Sequence, residues 1–348
     1  MQYDFLAFIG RFQPFHAGHY RVLKTALEKS QNLVVIVGSA NRPRTAKNPL
    51  TFDERKRLIE ALLTSDEKSR VVVVPCDDFM YNDTKWETEI QAIIRTATSH
   101  PWRAGPTKIG IIGHSKDHSS YYLKKFPQWD LLDLPVPYPV NATDIRKALY
   151  ETSLLSKDWF VNNTHKAIVQ NLFYFNKGLD VIFREWEHIK NYKKQFEPVE
   201  IDGQKYNQFP PIFVTTDAVV IQSGHVLLVK RGGMPGEGLW ALPGGFLNQG
   251  ETVKEGVLRE LVEETKIGVR LPKLEGSIEK WFLADHPDRS QRGRTISHAA
   301  LIRLPDGELP VIKGSDDAAD AKWVLLDDLD PTKMFEDHWD IIDQFLGL

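Results

Sequence analysis

The chain of 348 residues has a single cysteine, Cys76, so it can form no internal disulfide and suits a reducing compartment. It has no apolar run near the roughly 20 residues that a membrane-crossing helix needs. Neither sign of charge dominates: 44 Lys and Arg stand against 47 Asp and Glu, a formal net charge of −3. Nucleic-acid surfaces are ordinarily basic, so this balance gives no hint of one. Internal repeats, low-complexity tracts and the basic-then-apolar opening of a signal peptide are also missing. These absences lead us to expect a cytoplasmic, soluble protein with no nucleic-acid or membrane partner, and they leave self-association as a homo-oligomer undecided. At this length two separate cores can be buried.

What is present in the first half is alternation. Residues 3–9, 33–37, 71–74, 109–112 and 129–134 are short apolar runs that read as strands. Between and after them, helical spacing covers the segment ending at Leu27 and residues 53–63, 86–96, 119–126 and 143–150. That order predicts a parallel, doubly wound α/β sheet, whose ligands bind at the carboxyl ends of the strands, at the switch point. The first such end is GRFQPFHAGH, residues 10–19, with His16 and His19. Two histidines three apart at a helix start can both face a phosphate, where backbone N–H groups already favour negative charge. Two rings satisfied by local hydrogen bonds would leave the same spacing.

The second half is built around a Gly-rich turn and the helix after it, residues 244–267. From Val253 on, Val253, Val257, Leu258, Leu261 and Val262 fill one half of the helical wheel. Glu260, Glu263 and Glu264 crowd the adjoining arc at i, i+3 and i+4. Like charges so placed cost a few tenths of a kcal/mol per pair, and a hard divalent cation such as Mg2+ or Mn2+ would suit their oxygens. Alone, this is also the pattern of a solvated acidic face. Gly256 on the same arc suggests a flat approach for a bulky ligand. Around the helix, residues 212–220, 225–230, 278–284, 297–304 and 323–326 read as strands, and 331–345 as a closing helix begun by proline. A charged helical stretch, 179–196, followed by polar turn residues places a linker at 185–206 between domains 1–184 and 207–348.

Longer patterns around these features resemble known families. Gly245, five residues, Glu251, seven residues, then Arg259-Glu260-Leu261-Val262-Glu263-Glu264 matches the Nudix box. The resemblance implies a mixed-sheet α/β/α sandwich and metal-assisted hydrolysis of a nucleoside diphosphate derivative. Glu251, Glu260, Glu263 and Glu264 would hold the metal, Glu263 and Glu264 would be catalytic, and Arg259 would orient a carboxylate. The family's glycine after the box is Lys266 here, which predicts a displaced helix end, because a glycine there closes the helix in a left-handed turn. GRFQPFHAGH and NATDIR, residues 141–146, resemble the two motifs of the H-x-G-H nucleotidyltransferases, in the form of archaeal-type nicotinamide mononucleotide (NMN) adenylyltransferases. That implies a Rossmann-like domain transferring adenylyl from ATP to NMN, with NAD and pyrophosphate as products. His16, His19 and Arg146 would be catalytic, and Arg11, Phe12, Trp86, Lys116, Thr143 and Arg146 would bind substrate; Arg42 is a weaker candidate. Asn141 stands where that family has Ser, which puts its bond to the nucleotide in doubt.

Residues 284–297, with Arg289, Arg292 and Arg294, resemble a loop of Nudix proteins that handle ADP-ribose, so Arg289 and Arg294 are expected near substrate. Together the two halves suggest NAD metabolism, with ADP-ribose cut to AMP and ribose 5-phosphate. The alternatives are a non-hydrolytic Nudix module that senses a nucleotide and regulates the transferase, or hydrolysis of NADH or a dinucleoside polyphosphate. Within the first domain, pantetheine phosphate or a flavin is the alternative acceptor.

Overall fold

The computed structural model describes residues 1–99, 107–114, 122–135, 141–152, 179–202, 204–207, 209–314 and 318–348. Lys116 and the start of the expected 119–126 helix lie outside the described residues. The chain divides into two compact units, residues 1–183 and 184–348.

In the first unit, β1 (Tyr3–Gly10), β2 (Ser30–Val37), β3 (Val71–Pro75), β4 (Ile109–Gly113) and β5 (Asp130–Asp133) form one parallel sheet in the order β3-β2-β1-β4-β5. Strands buried on both faces must be apolar throughout. Accordingly Leu6, Phe8, Leu33 and Val35 enter one core, while Phe5, Ala7, Ile9, Val34 and Ile36 enter the other. Helix α1 (Ala17–Lys29) buries Val22, Leu23, Ala26 and Leu27 in the first core. Helices α2 (Phe52–Glu60) and α3 (Ser65–Arg70) lie between β2 and β3. Helix α4 (Asp83–Thr98) buries Ile90 and Ile94 in the second core, and α5 (Ala142–Thr152) returns to the first through Ile145. The strand order reverses between β1 and β4, so the ends of those two strands bound the crevice expected of a switch point.

Helix α6 (Leu179–Lys194) and a two-stranded ribbon, β6 (Val199–Ile201) with β7 (Gln204–Tyr206), occupy the stretch expected as linker. The second unit holds a mixed seven-stranded sheet: β8 (Phe213–Gln222), β9 (His225–Arg231), β10 (Trp240–Ala241), β11 (Gly244–Phe246), β12 (Ile278–Ala284), β13 (Thr295–Arg303) and β14 (Ala318–Leu325). β8 and β13 are parallel, and the other pairings are antiparallel. Helix α7 (Val253–Thr265) sets Val257, Leu258 and Leu261 on Ala218, Val220, Leu227, Ala300 and Ile302. A short α8 (Leu271–Gly276) follows, and α9 (His338–Leu346) meets β12 through Phe345 and Phe282, their ring centroids 6.2 Å apart.

Two expectations change. The end of α7 is not displaced: Lys266 itself adopts the left-handed conformation, φ 45° and ψ 35°, and its N–H donates to Val262 O at 3.0 Å. The closing helix does not begin at Pro331. Residues 331–333 make one 3-10 turn, Glu336 has φ 43°, and the helix starts at His338.

Candidate active sites

In the first unit the motif after β1 is shaped by its own side chains. His16 is the N-cap of α1: its Nδ1 accepts the Gly18 N–H at 3.1 Å, while His19 Nδ1 accepts the His16 N–H at 3.3 Å. A histidine pair thus does the work that Ser and Glu do in an ordinary capping box. With both Nδ1 atoms accepting, a neutral ring carries its proton on Nε2, so each ring has an N–H donor on its far edge. The rings stack with centroids 3.7 Å apart. Phe12, only 2 % exposed, sets its ring at 4.9 Å edge-on to His19, so it bears on the site through His19. Gly10 is required there, because a Cβ would stand 2.8 Å from the Phe12 ring.

The second motif folds back on the first. Arg146 donates from Nη1 to Gln13 O at 2.6 Å and from Nη2 to Thr143 Oγ1 at 3.2 Å. Burial, and then the charge of Arg11, push its pKa down. Arg11 is exposed and lies against Gly38 at the end of β2. Asn141 Oδ1 accepts the Asp144 N–H at 2.8 Å and so caps α5, a task Asn performs as well as Ser. Arg42 is committed to Asp78 at 3.5 Å. Trp86 is half-buried, edge-on to Tyr122 at 6.2 Å and tilted to Phe126 at 5.8 Å, and Tyr122 Oη donates to Ile9 O at 3.2 Å at the end of β1. His16 and His19 are in direct contact, Thr143 and Arg146 are bonded to each other and tied to the first motif through Gln13 O, Arg11 is near enough for its charge to act on Arg146, and Trp86 reaches β1 through Tyr122. The sequence did not reveal Arg55. It is 1 % exposed, donates to Arg11 O at 2.7 Å, Gly38 O at 2.6 Å and Ser39 O at 3.0 Å, and ties the ends of β1 and β2 together. Burial pushes its pKa down to about 10.

In the second unit Arg259 stands among the box carboxylates. It makes a two-pronged bond to Glu251 (2.9 and 2.7 Å) and donates to Glu260 at 2.8 Å and Glu263 at 3.0 Å. Glu251 is held well below the usual carboxylate range by Arg259. Glu264 faces the turn before the helix, where its Oε2 accepts the Gly244 N–H at 3.0 Å. A Cβ on Gly245 would stand 2.4 Å from Glu260 Oε1, so glycine is needed for the carboxylate to close on the backbone. Burial raises Glu260 and pushes Glu264 up to about 8. Gly256 is no open landing: it is buried, and a Cβ there would meet Leu247 at 2.8 Å.

A cavity of about 710 Å³ adjoins Glu260 and Glu264. Arg289 lines it, locked to the buried Asp337 by two bonds of 2.9 and 3.0 Å. Arg292 also lines it, with its guanidinium 5.3 Å from the Phe246 ring and a buried Nε that has no hydrogen-bond partner among the described residues. Arg294 is not among the lining residues and donates to Asp285 O. The cavity also takes residues the sequence did not mark: Asp217, Arg231, Glu336 and His338. His338 Nδ1 accepts the Leu242 N–H at 2.8 Å, its Nε2 lies 3.9 Å from Asp217, and burial lowers its pKa. Those four come from a strand middle, a strand end, a late loop and the start of α9, and no local period singles them out.

Do these residues fit a divalent cation? Among the described residues no three carboxylate, histidine or cysteine side chains already converge as a cation cluster, since Arg259 lies between Glu251, Glu260 and Glu263. The donor set is nevertheless all carboxylate oxygen, the set that hard divalent ions prefer. Glu264 is desolvated beside Glu260 and Asp217, and a cation there would relieve that strain of charge. The set fits.

Comparison with known proteins follows the same division. The cytidylyltransferase-like family matches residues 7–148, and the NUDIX domain family matches residues 212–345. A nicotinamide/nicotinic acid mononucleotide adenylyltransferase from Acinetobacter baylyi is 36 % identical over 155 residues, which is 44 % of this chain and 79 % of that one. An ADP-ribose pyrophosphatase from Methanocaldococcus jannaschii is 36 % identical over 145 residues, 42 % of this chain and 79 % of that one. The crystal structure of a bifunctional NMN adenylyltransferase/ADP ribose pyrophosphatase from Francisella tularensis, complexed with AMP and a Mn ion, is similar over 99 % of both chains, with a TM-score of 0.86 and 34 % identity.

Proposed function

The chain belongs to the cytidylyltransferase-like family in its first unit and to the Nudix family in its second, and we propose that it carries two activities of NAD metabolism. The first unit transfers adenylyl from ATP to NMN, giving NAD and pyrophosphate. The second hydrolyses ADP-ribose to AMP and ribose 5-phosphate. Likeness to a bifunctional enzyme over 99 % of both chains supports the pairing.

The observation that carries the first activity is the pair of imidazoles whose Nδ1 atoms both accept from backbone. An NMN phosphate oxygen attacks the α-phosphorus of ATP, and the bond to pyrophosphate breaks. No enzyme nucleophile is needed, so the protein's task is position and charge. His16 and His19 offer Nε2–H donors to the phosphates. Arg11 and Arg146 bring positive charge from two sides, as guanidinium groups suit phosphate oxygens. Thr143, which holds Arg146, borders the nucleotide, and Trp86 offers an aromatic face to nicotinamide; the role of Lys116 as a phosphate ligand rests on the sequence resemblance alone.

The second activity rests on the desolvated carboxylates beside the large cavity. Glu251, Glu260, Glu263 and Glu264 would hold the divalent cation, Mg2+ or Mn2+, which when bound polarises the phosphoryl oxygens as a Lewis acid. Arg259 keeps Glu251 and Glu263 apart from one another and oriented. Glu263, its side chain 44 % exposed, is open to an incoming water, and Glu264, next to it on α7, is held by the Gly244 N–H. Arg289 and Arg294 fix the loop that brings Arg292 to the cavity.

The test is product identification by chromatography, with full-length protein given ATP plus NMN, and separately ADP-ribose. His19→Ala should abolish NAD formation and spare AMP release from ADP-ribose. The double variant Glu263→Gln, Glu264→Gln should do the reverse. Undiminished NAD synthesis by His19→Ala, or undiminished hydrolysis by the double variant, would overturn the site concerned.

A further inference from the structure

The loop from Gly232 to Gly238 borders the second cavity through Gly232, Gly233 and Met234, directly after Arg231. It turns at Gly236, φ 78°, where a Cβ would stand 2.4 Å from the Phe335 ring. Two side chains hold it. Arg231 Nε donates to Pro235 O at 2.9 Å, and the Gly236 N–H donates to Glu185 Oε1 at 3.2 Å. Glu185 lies on α6, outside the residues 212–345 that match the Nudix family, yet it is only 5 % exposed. The same segment touches the site again further along, at Tyr192 on the helix and Phe196 just past its end. Tyr192 and Phe196 pack on Phe213 at 5.9 and 5.3 Å, and Phe213 packs at 5.7 Å on Phe246, which lines the cavity. A carboxylate is costly to bury unless its oxygens are bonded, and a helix that merely covered the sheet would place an apolar side chain there.

We propose that Glu185 is a positioning residue for hydrolysis: through Gly236 it fixes the 232–238 loop so that Arg231 faces the diphosphate of the substrate. Helix α6 is then a working part of a site that the Nudix-matched residues leave incomplete. The inference rests on the reading of the second unit as an ADP-ribose hydrolase. Its bond to the Gly236 N–H places Glu185 on the loop that carries Arg231, so its loss is expected to act on substrate binding.

The experiment uses full-length protein with Mn2+ and four readouts: steady-state ADP-ribose hydrolysis, NAD synthesis in the same samples, the melting temperature, and amide hydrogen exchange across residues 232–238. Glu185→Ala is expected to raise KM about tenfold, the effect of one lost charged hydrogen bond, with kcat within about twofold and NAD synthesis unchanged. Exchange in the loop should quicken. Glu185→Gln keeps an acceptor at Oε1 and should restore both KM and protection. An unchanged KM in Glu185→Ala, a defect that Glu185→Gln does not repair, or a fall in kcat that tracks a lowered melting temperature would each overturn the proposal. If the wild type releases no AMP from ADP-ribose, the underlying reading fails instead, and the exchange measurement, which needs no substrate, still decides whether Glu185 clamps the loop.

Discussion

Lys266 stands where glycine would close the helix at no cost, and it takes the left-handed conformation itself. A side chain there is strained by about 1 kcal/mol, so Lys266→Gly should raise stability by that amount, read as a higher denaturant midpoint with unchanged hydrolysis. Glu264 carries a second expectation. Its pKa rises from an ordinary 4.5 to about 8 by burial. Between those values the folded chain holds a proton that the unfolded chain has released. The stability it contributes is complete below pH 4.5 and lost as pH rises through about 8. Metal-free protein should therefore melt at a lower temperature at pH 8 than at pH 5, and added Mn2+ should close more of that gap at the higher pH. Arg292, whose Nε has no partner among the described residues and which lines the cavity, should matter more than Arg294. Arg292→Ala is expected to cut kcat/KM for ADP-ribose by about ten- to a hundredfold, and Arg294→Ala by less. At this scale the box carboxylates were legible because one helix displays them at fixed spacing. Asp217, Arg231 and His338 were not, because tertiary packing alone assembles them.

Among elements, α1 shows one pair of side chains serving two ends. Its N-cap atoms are His16 and His19 Nδ1, and their opposite edges are the donors assigned to phosphate. The two roles separate by substitution. His16→Asn keeps a capping oxygen and loses the Nε2–H, so NAD synthesis should fall while the melting temperature holds. His16→Ala should lose both, at about 1 kcal/mol for the missing cap. The parallel strands β1 to β4 were readable because each carries an apolar run, as burial in a parallel sheet demands, whereas β5 shows only Leu131 and Leu132 between exposed aspartates. Boundaries were readable where a local cap sets them, as Thr252 does for α7. They were not where a backbone reversal does so without a glycine: Glu336, φ 43°, splits the stretch expected as one helix from Pro331 onward. The ribbon after α6 was missed for another reason. Its strands are three residues long, too short for alternation to stand out.

For the molecule as a whole, composition set the outline: two cores, neither sign of charge in excess, and no helix among the described residues long and apolar enough to cross a membrane. The lone cysteine has a practical consequence. Cys76 is fully buried, and burial pushes its thiol up, so a chromogenic disulfide reagent should find no reactive group in the native protein and one after denaturation. The wild type is in effect a blank background for labelling. Two surface cysteines, one introduced on each unit, would be the only sites to take up a fluorophore pair. Energy transfer between them could then report, during turnover, whether ATP and NMN at one centre alter the posture of the other.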